Sequence, residues 1–229
     1  MGSLSIKTWK GVINKQNKIM KTEINPKETS RRDAFARWMS SPMPMVTVVK
    51  TIDVTKAVKY CKKHGKSFNM LMCWCIGKAA SGINEFYYLP VEDKMYRFDE
   101  IAIGPVVKNK EGGINFCDIP YHEDLEQFDA EYRENTTKVA SRCENLYLED
   151  KMMVIGTSAI IQMELDCIVN QYVKGFNNPM VIWGKYRKGW LKTTLPVSFQ
   201  FHHVQMDGEH VVTFLKRLQE TINGIGKSR

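Results

Sequence analysis

The sequence predicts an α+β domain in which helices pack on a large mixed, mostly antiparallel β-sheet. Several short segments alternate apolar with polar residues, which is typical of half-buried strands. In other segments apolar residues recur every three or four positions, which is typical of amphipathic helices. The two kinds interleave without a regular strand–helix–strand order. The 229 residues contain no Pro/Gly/Ser-rich linker, so we expect one domain over residues 1–229, with residues 1–20 as a candidate N-terminal extension.

The first half of the chain divides at short polar segments. Gly65 is a helix-stop signal, because glycine readily adopts the left-handed conformation that ends a helix. The predicted elements are a polar leader with one or two short strands (1–30), a helix from its N-cap Ser30 to Trp38, a strand Met45–Ile52, a helix Asp53–Lys63 and a buried helix Ser67–Gly82.

The second half begins with short strand patterns around a turn. Residues 109–113 read Asn-Lys-Glu-Gly-Gly, a strong turn signal. The predicted elements are short antiparallel strands over Glu92–Lys108, a strand Ile114–Ile119, a helix His122–Val139, strands Met152–Ile161, Val181–Tyr186 and 195–202, and a C-terminal helix that Gly224 ends.

A strand-to-helix turn near the C-terminus has the strongest chemical signal. In residues 195–201 apolar and polar side chains alternate, and Pro196 suits a strand start or edge. After Gly208 the apolar residues recur at helical spacing. His203 therefore lies at the end of a strand and Asp207 at the start of a helix, where a general base can be held rigidly.

Simpler interpretations of this turn remain open. Asp207 is a good helix N-cap, and that role does not exclude chemistry. His202 points with the polar strand face and is expected to be a hydrogen-bonded structural histidine. His203, Asp207 and His210 have spacing that a metal site could use, but too few further ligands accompany them, so we expect no metal.

Composition limits the other function classes. The formal net charge is +8, which suits nucleic acid, a membrane surface or a small polyanion. The lysines are dispersed and no basic-aromatic module is present, so we expect no nucleic-acid partner. The chain has no apolar run of membrane-spanning length and no signal-peptide core, so we expect a cytoplasmic protein without a membrane partner. The cysteines lack CxxC spacing and are expected to be reduced; they are Cys61, Cys73, Cys75, Cys117, Cys143 and Cys167.

Several motifs together give a family resemblance. Residues 202–210 read HHVQMDGEH, which matches an HHxxxDG acyltransferase signature. Residues 30–35 (SRRDAF), 156–159 (GTSA), 66–68 (KSF) and 185–186 (KY) match further family motifs. On these motifs the chain resembles a type A chloramphenicol acetyltransferase from about residue 24 to its C-terminus.

The resemblance implies roles for four residues. His203 would be the general base that takes a proton from the acceptor hydroxyl. Ser158 would donate a hydrogen bond to the tetrahedral oxyanion. Asp207 would not bind substrate but would pair with Arg31 and brace the active-site turn. Without the resemblance, Arg31 reads as a solvated arginine and Ser158 as an ordinary strand serine.

The resemblance also implies ligands and assembly. Lys66 and Lys185 would approach the phosphates of acetyl-CoA, a co-substrate and not a permanently bound cofactor, and Phe68 and Tyr186 would approach its adenine. For these four residues an ordinary surface or core role remains open. The resemblance implies a homotrimer with active sites between subunits, where the histidine of one subunit faces the acceptor pocket of the next.

The acceptor side departs from the family pattern. Trp38 replaces a pocket tyrosine, Ile182 replaces a threonine and Gly156 replaces an asparagine, whereas the pocket-facing Gln200 is kept. The resemblance makes chloramphenicol the first-choice acceptor, and these departures leave another hydroxyl compound as the alternative. Two further readings stay open: the catalytic domain of a dihydrolipoamide acyltransferase, and a catalytically weak relative that sequesters a hydrophobic ligand.

Overall fold

The protein is described here by a computed structural model, which covers residues 21–173 and 175–226. The predicted α+β class is confirmed, because helices pack on a large mixed sheet. The part of the predicted leader before residue 21 lies outside the described residues. The helices are α1 (Arg32–Trp38), α2 (Thr55–His64), α3 (Phe68–Ala80), α4 (Leu125–Arg142) and α5 (Gly208–Gly224), with one-turn 3-10 helices at Pro26–Glu28 and Asn84–Tyr87.

The strands form a small antiparallel sheet and a larger mixed one. The small sheet has the order β1-β4-β3, and the larger has the order β10-β11-β9-β8-β5-β6, with β2 also paired to β11 and β7 to β5. The strands are β1 (Lys21–Ile24), β2 (Met45–Asp53), β3 (Tyr88–Val91), β4 (Lys94–Phe98), β5 (Ile101–Lys108), β6 (Ile114–Phe116), β7 (Ile119–Pro120), β8 (Met153–Ile160), β9 (Met180–Gly184), β10 (Arg187–Lys188) and β11 (Thr193–His202).

The centre of the larger sheet is parallel. Strand β8 pairs in parallel with both β5 and β9, whereas the remaining pairs are antiparallel. The prediction that residues 92–108 form only antiparallel strands was therefore wrong for β5. The predicted single strand 114–119 is two short strands, β6 and β7, because Cys117 and Asp118 between them bond to Pro105 and Leu146 instead. Alternation of side chains cannot reveal the direction of a neighbouring strand.

Strand β11 is buried on both faces, so the prediction of a half-buried strand was wrong. Its apolar face packs into the core, and its polar side chains are covered as well. They tolerate burial because they have partners: Ser198 Oγ donates to the Ile168 carbonyl, and Gln200 Nε2 donates to the Asn170 carbonyl. A strand face whose polar side chains are buried and hydrogen-bonded has the same sequence pattern as a strand face exposed to water.

Three predicted helix starts are displaced by local hydrogen bonds. Ser30 does not cap α1: its hydroxyl donates to Glu85 Oε1, and Arg31 occupies the N-cap position. Helix α2 begins two residues after Asp53, whose carboxylate accepts from the backbone and hydroxyl of Thr55. Helix α4 begins at Leu125 because Asp124 caps it. Gly65 ends α2 as predicted, with φ of 64°.

The remaining element ends differ from the predictions by a few residues. Helix α3 is buried as predicted but spans Phe68–Ala80, α4 continues to Arg142, and β9 ends at Gly184. The short strand β10 was not predicted, since two residues give no recognisable alternation. Helix α5 has the predicted position.

An aromatic cluster joins β11 to α5 and fixes the turn between them. Phe199 of β11 packs against Phe214 of α5 with ring centroids 4.7 Å apart, and Phe86 contacts both. All three side chains are fully buried. Aromatic contacts of this kind stabilise the fold beyond their buried area. The strand and the helix on either side of residues 203–207 are therefore held rigidly.

Candidate active site

The turn between β11 and α5 is closed by its own backbone. The N–H groups of Gln205 and Met206 donate to the His202 carbonyl, and the His203 N–H donates to the Pro44 carbonyl at 2.8 Å. The last of these bonds ties the turn to the residue before β2. His203 is thus placed at the end of a buried strand with its backbone held from two sides.

Arg31 joins the start of the chain to this turn. Its guanidinium donates to Asp207 Oδ2 at 2.8 Å, to the Val204 carbonyl at 2.9 Å and to the His203 carbonyl at 3.1 Å. Arg31 is only 3% exposed. Charge-assisted bonds from one planar group to three acceptors fix their relative positions. The expected Arg31–Asp207 pair is present, and Arg31 also donates to the backbone carbonyl of His203.

Asp207 is occupied by structural contacts. Its carboxylate accepts from the Glu209 N–H at the start of α5, and the backbone N–H of Asp207 donates to His210 Nδ1, which completes a capping box. Burial alone would raise the pKa of Asp207, but the bond from Arg31 and the nearby His210 outweigh it and lower that pKa. Asp207 therefore stays ionised near neutral pH and holds the turn.

His202 is a buried structural histidine, as the sequence indicated. It is 1% exposed, and its Nδ1 accepts from the Val204 N–H at 3.1 Å. Burial lowers the pKa of His202 to about 4, and repulsion from the neighbouring His203 is a second, smaller cause. The ring is consequently neutral at physiological pH and serves as an acceptor inside the turn.

The imidazole of His203 lies flat against an indole. Its ring stacks on Trp38 with centroids 4.8 Å apart and planes inclined by 6°. Nδ1 of His203 is buried and has no hydrogen-bond partner within residues 21–173 and 175–226. Trp38, predicted to bind the acceptor, contacts the predicted base and is 38% exposed.

Ser158 lies far from His203 within one chain. Ser158 of β8 pairs with Ile182 of β9, which in turn pairs with Ser198 of β11. His203 follows Ser198 by five positions, about 16 Å along a strand, and two strand spacings add about 10 Å across the sheet, so the two Cα atoms are roughly 19 Å apart. One chain does not bring these two predicted catalytic residues together.

A cavity of about 320 Å³ opens beside the parallel strands. Gln200 and Gly156 line it, as do the aromatic residues Phe116, Tyr147 and Phe176. Its walls are mainly apolar, which suits a small organic ligand. Of the three residues predicted to bind the acceptor, Gln200 lines this cavity, whereas Ile182 and Trp38 are not among its lining residues.

The residues predicted to bind acetyl-CoA gather at another surface. Phe68 and Tyr186 meet edge to face with centroids 5.2 Å apart, and both line two adjoining clefts of about 340 and 300 Å³. Lys185 lines the first cleft and is exposed, and Lys66 lines the second. The Lys66 ammonium is already paired with Asp129 at 2.8 Å and with Glu126 at 2.7 Å.

Asp118 is a site residue that the sequence reasoning missed. It lines the 320 Å³ cavity and is only 4% exposed. Burial raises the pKa of Asp118 to about 6, even though its carboxylate accepts from the Leu148 N–H. A charged residue between the apolar Cys117 and Ile119 was the available signal, because acids are rarely buried without a cation partner.

The described part of the chain gives no support for a metal centre, a membrane-spanning helix or a disulfide. No group of three or more His, Cys, Asp or Glu residues there could hold a metal ion. No helix among those residues is long and apolar enough to cross a membrane. Of the six cysteines, Cys61, Cys73, Cys75 and Cys117 are buried, and all six are free thiols. Burial raises the pKa of the Cys61 thiol to about 11, so this thiol is not activated as a nucleophile.

Comparisons with known proteins agree on one family. The family model described as chloramphenicol acetyltransferase matches residues 19–219. Chloramphenicol acetyltransferase 3 of Escherichia coli is 24% identical over 213 residues, covering 88% of this chain and 97% of the relative. A chloramphenicol acetyltransferase of Clostridium perfringens is 24% identical over 209 residues, covering 88% and 98% respectively.

Solved structures share the fold. A chloramphenicol acetyltransferase structure superposes with a TM-score of 0.78 at 23% identity, covering 89% of this chain and 100% of that one. A dihydrolipoamide acetyltransferase of Azotobacter vinelandii superposes with a TM-score of 0.64 at 18% identity, covering 85% and 87%. The larger mixed sheet and its packed helices therefore have the fold of these two structures.

Proposed function

Because this chain belongs to the chloramphenicol acetyltransferase family, we propose that it transfers the acetyl group of acetyl-CoA to a hydroxyl group, with chloramphenicol as the first acceptor to test and antibiotic resistance as the consequence. The observation that carries this proposal is the clamp of Arg31 on Asp207 and on the backbone of His203. A buried guanidinium with three partners in one turn holds the backbone of the histidine in place, as a catalytic group requires.

His203 is the proposed general base. Its imidazole takes the proton of the acceptor hydroxyl while the hydroxyl oxygen attacks the thioester carbonyl carbon. The carbonyl oxygen becomes a tetrahedral oxyanion, to which Ser158 donates a hydrogen bond. The intermediate then collapses: the carbon–sulfur bond breaks, and the CoA sulfur leaves with the proton from His203. Asp207 moves no proton in this scheme, because its carboxylate is held by Arg31 and by the start of α5.

The active site is proposed to lie between subunits. A base and an oxyanion donor must both approach one reacting centre within about 3 Å. A separation of roughly 19 Å between Ser158 and His203 in one chain prevents this. We infer that His203 of one subunit acts with Ser158 of its neighbour in a homotrimer. The 320 Å³ cavity next to Gly156 and Gln200 is then the proposed acceptor pocket.

The clefts at Phe68 and Tyr186 are the proposed acetyl-CoA site. The two rings present aromatic faces and edges on which an adenine can stack. Lys185 is exposed and free to approach a phosphate. Lys66 can do so by exchanging its bond to the exposed Glu126 while keeping that to the buried Asp129. Acetyl-CoA is a co-substrate in this proposal and not a resident cofactor, and the cytoplasm is its proposed setting.

The proposal is tested by measuring thiol release from acetyl-CoA in the presence and absence of chloramphenicol. We expect chloramphenicol-dependent release by the wild-type protein and its loss in His203→Ala, with acetyl-CoA binding retained. A His203→Ala variant with a near-normal rate would remove His203 from the mechanism. Tight binding of chloramphenicol without thiol release would favour a sequestering protein, and turnover with dihydrolipoamide alone would favour the other acyltransferase class.

A further inference from the structure

The cavity wall contains the buried carboxylate of Asp118, and only one of its two oxygens has a hydrogen-bond partner in the described chain. Oδ2 of Asp118 accepts from the Leu148 N–H at 2.7 Å, which anchors the segment after α4. Oδ1 accepts no hydrogen bond from any residue in the ranges 21–173 and 175–226. It lies against Gly104, where an added methyl carbon would stand 2.6 Å from it. Gly104 also lines the cavity, so the free oxygen lies at the cavity wall.

The charge of Asp118 has no cation beside it. Within the described chain no Lys, Arg or His forms an ion pair with it, and the nearby Glu149 at the cavity rim is a second acid. With its pKa raised to about 6, Asp118 is nevertheless ionised near neutral pH. An unpaired anion in an apolar cavity disfavours the folded protein unless a ligand compensates it. This cost indicates a binding role beyond the bond to Leu148.

The surrounding side chains suit a cation as well. Phe116 and Tyr147 stack with centroids 6.2 Å apart and line the cavity beside Asp118, and Phe176 lines it too. Aromatic faces attract ammonium groups, and aromatic walls with a nearby carboxylate are a recurring arrangement for alkylated amines. An uncharged ligand would gain from the aromatic walls but would leave the carboxylate unpaired.

We propose that this cavity selects a hydroxyl acceptor that also carries a protonated amine, with the ammonium group held between Asp118 and the aromatic pair of Phe116 and Tyr147. The inference rests on the proposed acetyl transfer for the identity of the cavity as the acceptor pocket. The preferred acceptor in this scheme is positively charged. Chloramphenicol itself has no cationic nitrogen and is then a poorer ligand than its amine relatives.

The test compares two ligands that differ in this charge. The neutral ligand is chloramphenicol, and the cationic ligand is its analogue with a dimethylamino group in place of the dichloroacetamide. A tertiary amine is protonated at neutral pH and forms no stable amide, so acetylation is confined to hydroxyl groups. Dissociation constants are measured by titration calorimetry on the whole protein, and turnover is measured separately by thiol release.

The variants are Asp118→Asn, which removes the charge with the same shape, and Glu149→Gln, which removes an equal charge at the exposed rim. We expect Asp118→Asn to weaken the cationic ligand about tenfold or more and to change chloramphenicol binding much less, as for loss of one charged contact. Glu149→Gln is expected to change cationic binding by less than Asp118→Asn does. Equal effects of Asp118→Asn on both ligands would overturn the proposal.

A second measurement needs no change at Asp118 and covers the case in which Asp118→Asn does not fold. Wild-type affinity for the cationic ligand is expected to fall as pH decreases below about 6, while chloramphenicol affinity stays level. The ionisable groups that face Asp118 are Glu149 and the Cys117 thiol. Burial raises the pKa of the Cys117 thiol to about 12, which keeps it neutral in this range, and Glu149→Gln separates Glu149 from Asp118. A pH-independent preference, or none, contradicts the inference. Charge-selective binding without turnover would keep this inference and reject the proposed acetyl transfer.

Discussion

Trp38 and His203 form a parallel stack with ring centroids 4.8 Å apart and planes 6° apart. The stack brings the end of α1 against the turn after β11. It restricts rotation of the imidazole. Trp38 is therefore a positioning residue for the proposed base, in addition to any contact with the acceptor.

Removing the indole should lower the rate more than it weakens binding. We expect Trp38→Ala to reduce kcat about tenfold, because an imidazole free to rotate is less often aligned for proton transfer. The KM for acetyl-CoA should change little, since Trp38 is not among the residues lining the two clefts at Phe68. Steady-state thiol-release kinetics give both constants. Trp38→Phe keeps an aromatic face and should recover most of the rate; equal losses in both variants would argue against stacking as the cause.

Loss of the arginine clamp should affect stability and rate together. Arg31→Ala removes the donor to the carbonyls of His203 and Val204 and to Asp207 Oδ2, which costs about 3 kcal/mol of unfolding free energy. Urea unfolding followed by fluorescence measures this loss, and thiol release measures the rate. Arg31→Lys should rescue little, because an ammonium cannot donate along three directions of a planar group. An unchanged unfolding midpoint in Arg31→Ala would contradict the clamp.

Mixed oligomers should distinguish a site between subunits from a site within one chain. Ser158→Ala is expected to lower kcat about 100-fold, as for loss of one oxyanion donor, and His203→Ala should abolish turnover. When the two variants are co-expressed, some interfaces combine His203 of one subunit with Ser158 of the other, so activity should return. The control is a mixture of the two proteins purified separately and not allowed to exchange. No recovery in co-expressed oligomers would place both residues in one site of one chain.

The pH dependence of stability should separate the contributions of Asp118 and His202. Asp118 has a folded pKa raised from 3.8 to about 6, so the folded state binds more protons than the unfolded state in that range, and stability falls as pH rises. His202 has a folded pKa lowered from 6.5 to about 4, so the unfolded state binds more protons and stability rises with pH. In the wild type the two slopes oppose each other.

Single substitutions should therefore reveal opposite slopes. Between pH 4 and 6.5, Asp118→Asn should become more stable as pH rises, and His202→Asn should become less stable, each by on the order of 2–3 kcal/mol. Asparagine at 202 retains an acceptor for the Val204 N–H. Chemical unfolding at several pH values checks both trends. Parallel pH profiles for the two variants would show that neither group titrates as described.

Local chemistry could be predicted from the sequence where a residue acts through its chain neighbours. Gly65 ends α2 because glycine alone adopts positive φ without strain, and Asp207 caps α5 because a short carboxylate reaches the next N–H groups. Ser30 has the same capping chemistry, yet Glu85, 55 positions away, takes its hydroxyl. Long-range partners decide such cases, and their positions are not contained in a local pattern.

By itself the sequence determined the α+β class, the turn from His203 to Asp207 and the family motifs, because these depend on residue type at short spacing. Only the tertiary structure decided that β8 is parallel to its neighbours, that the polar face of β11 is buried, and that Trp38 covers His203. It alone also placed Asp118 in a cavity and separated Ser158 from His203. Burial and inter-residue distances depend on contacts between segments that are remote in the chain. The periodicity of a sequence reports only the local conformation and the apolar face of one segment, so it cannot predict those contacts.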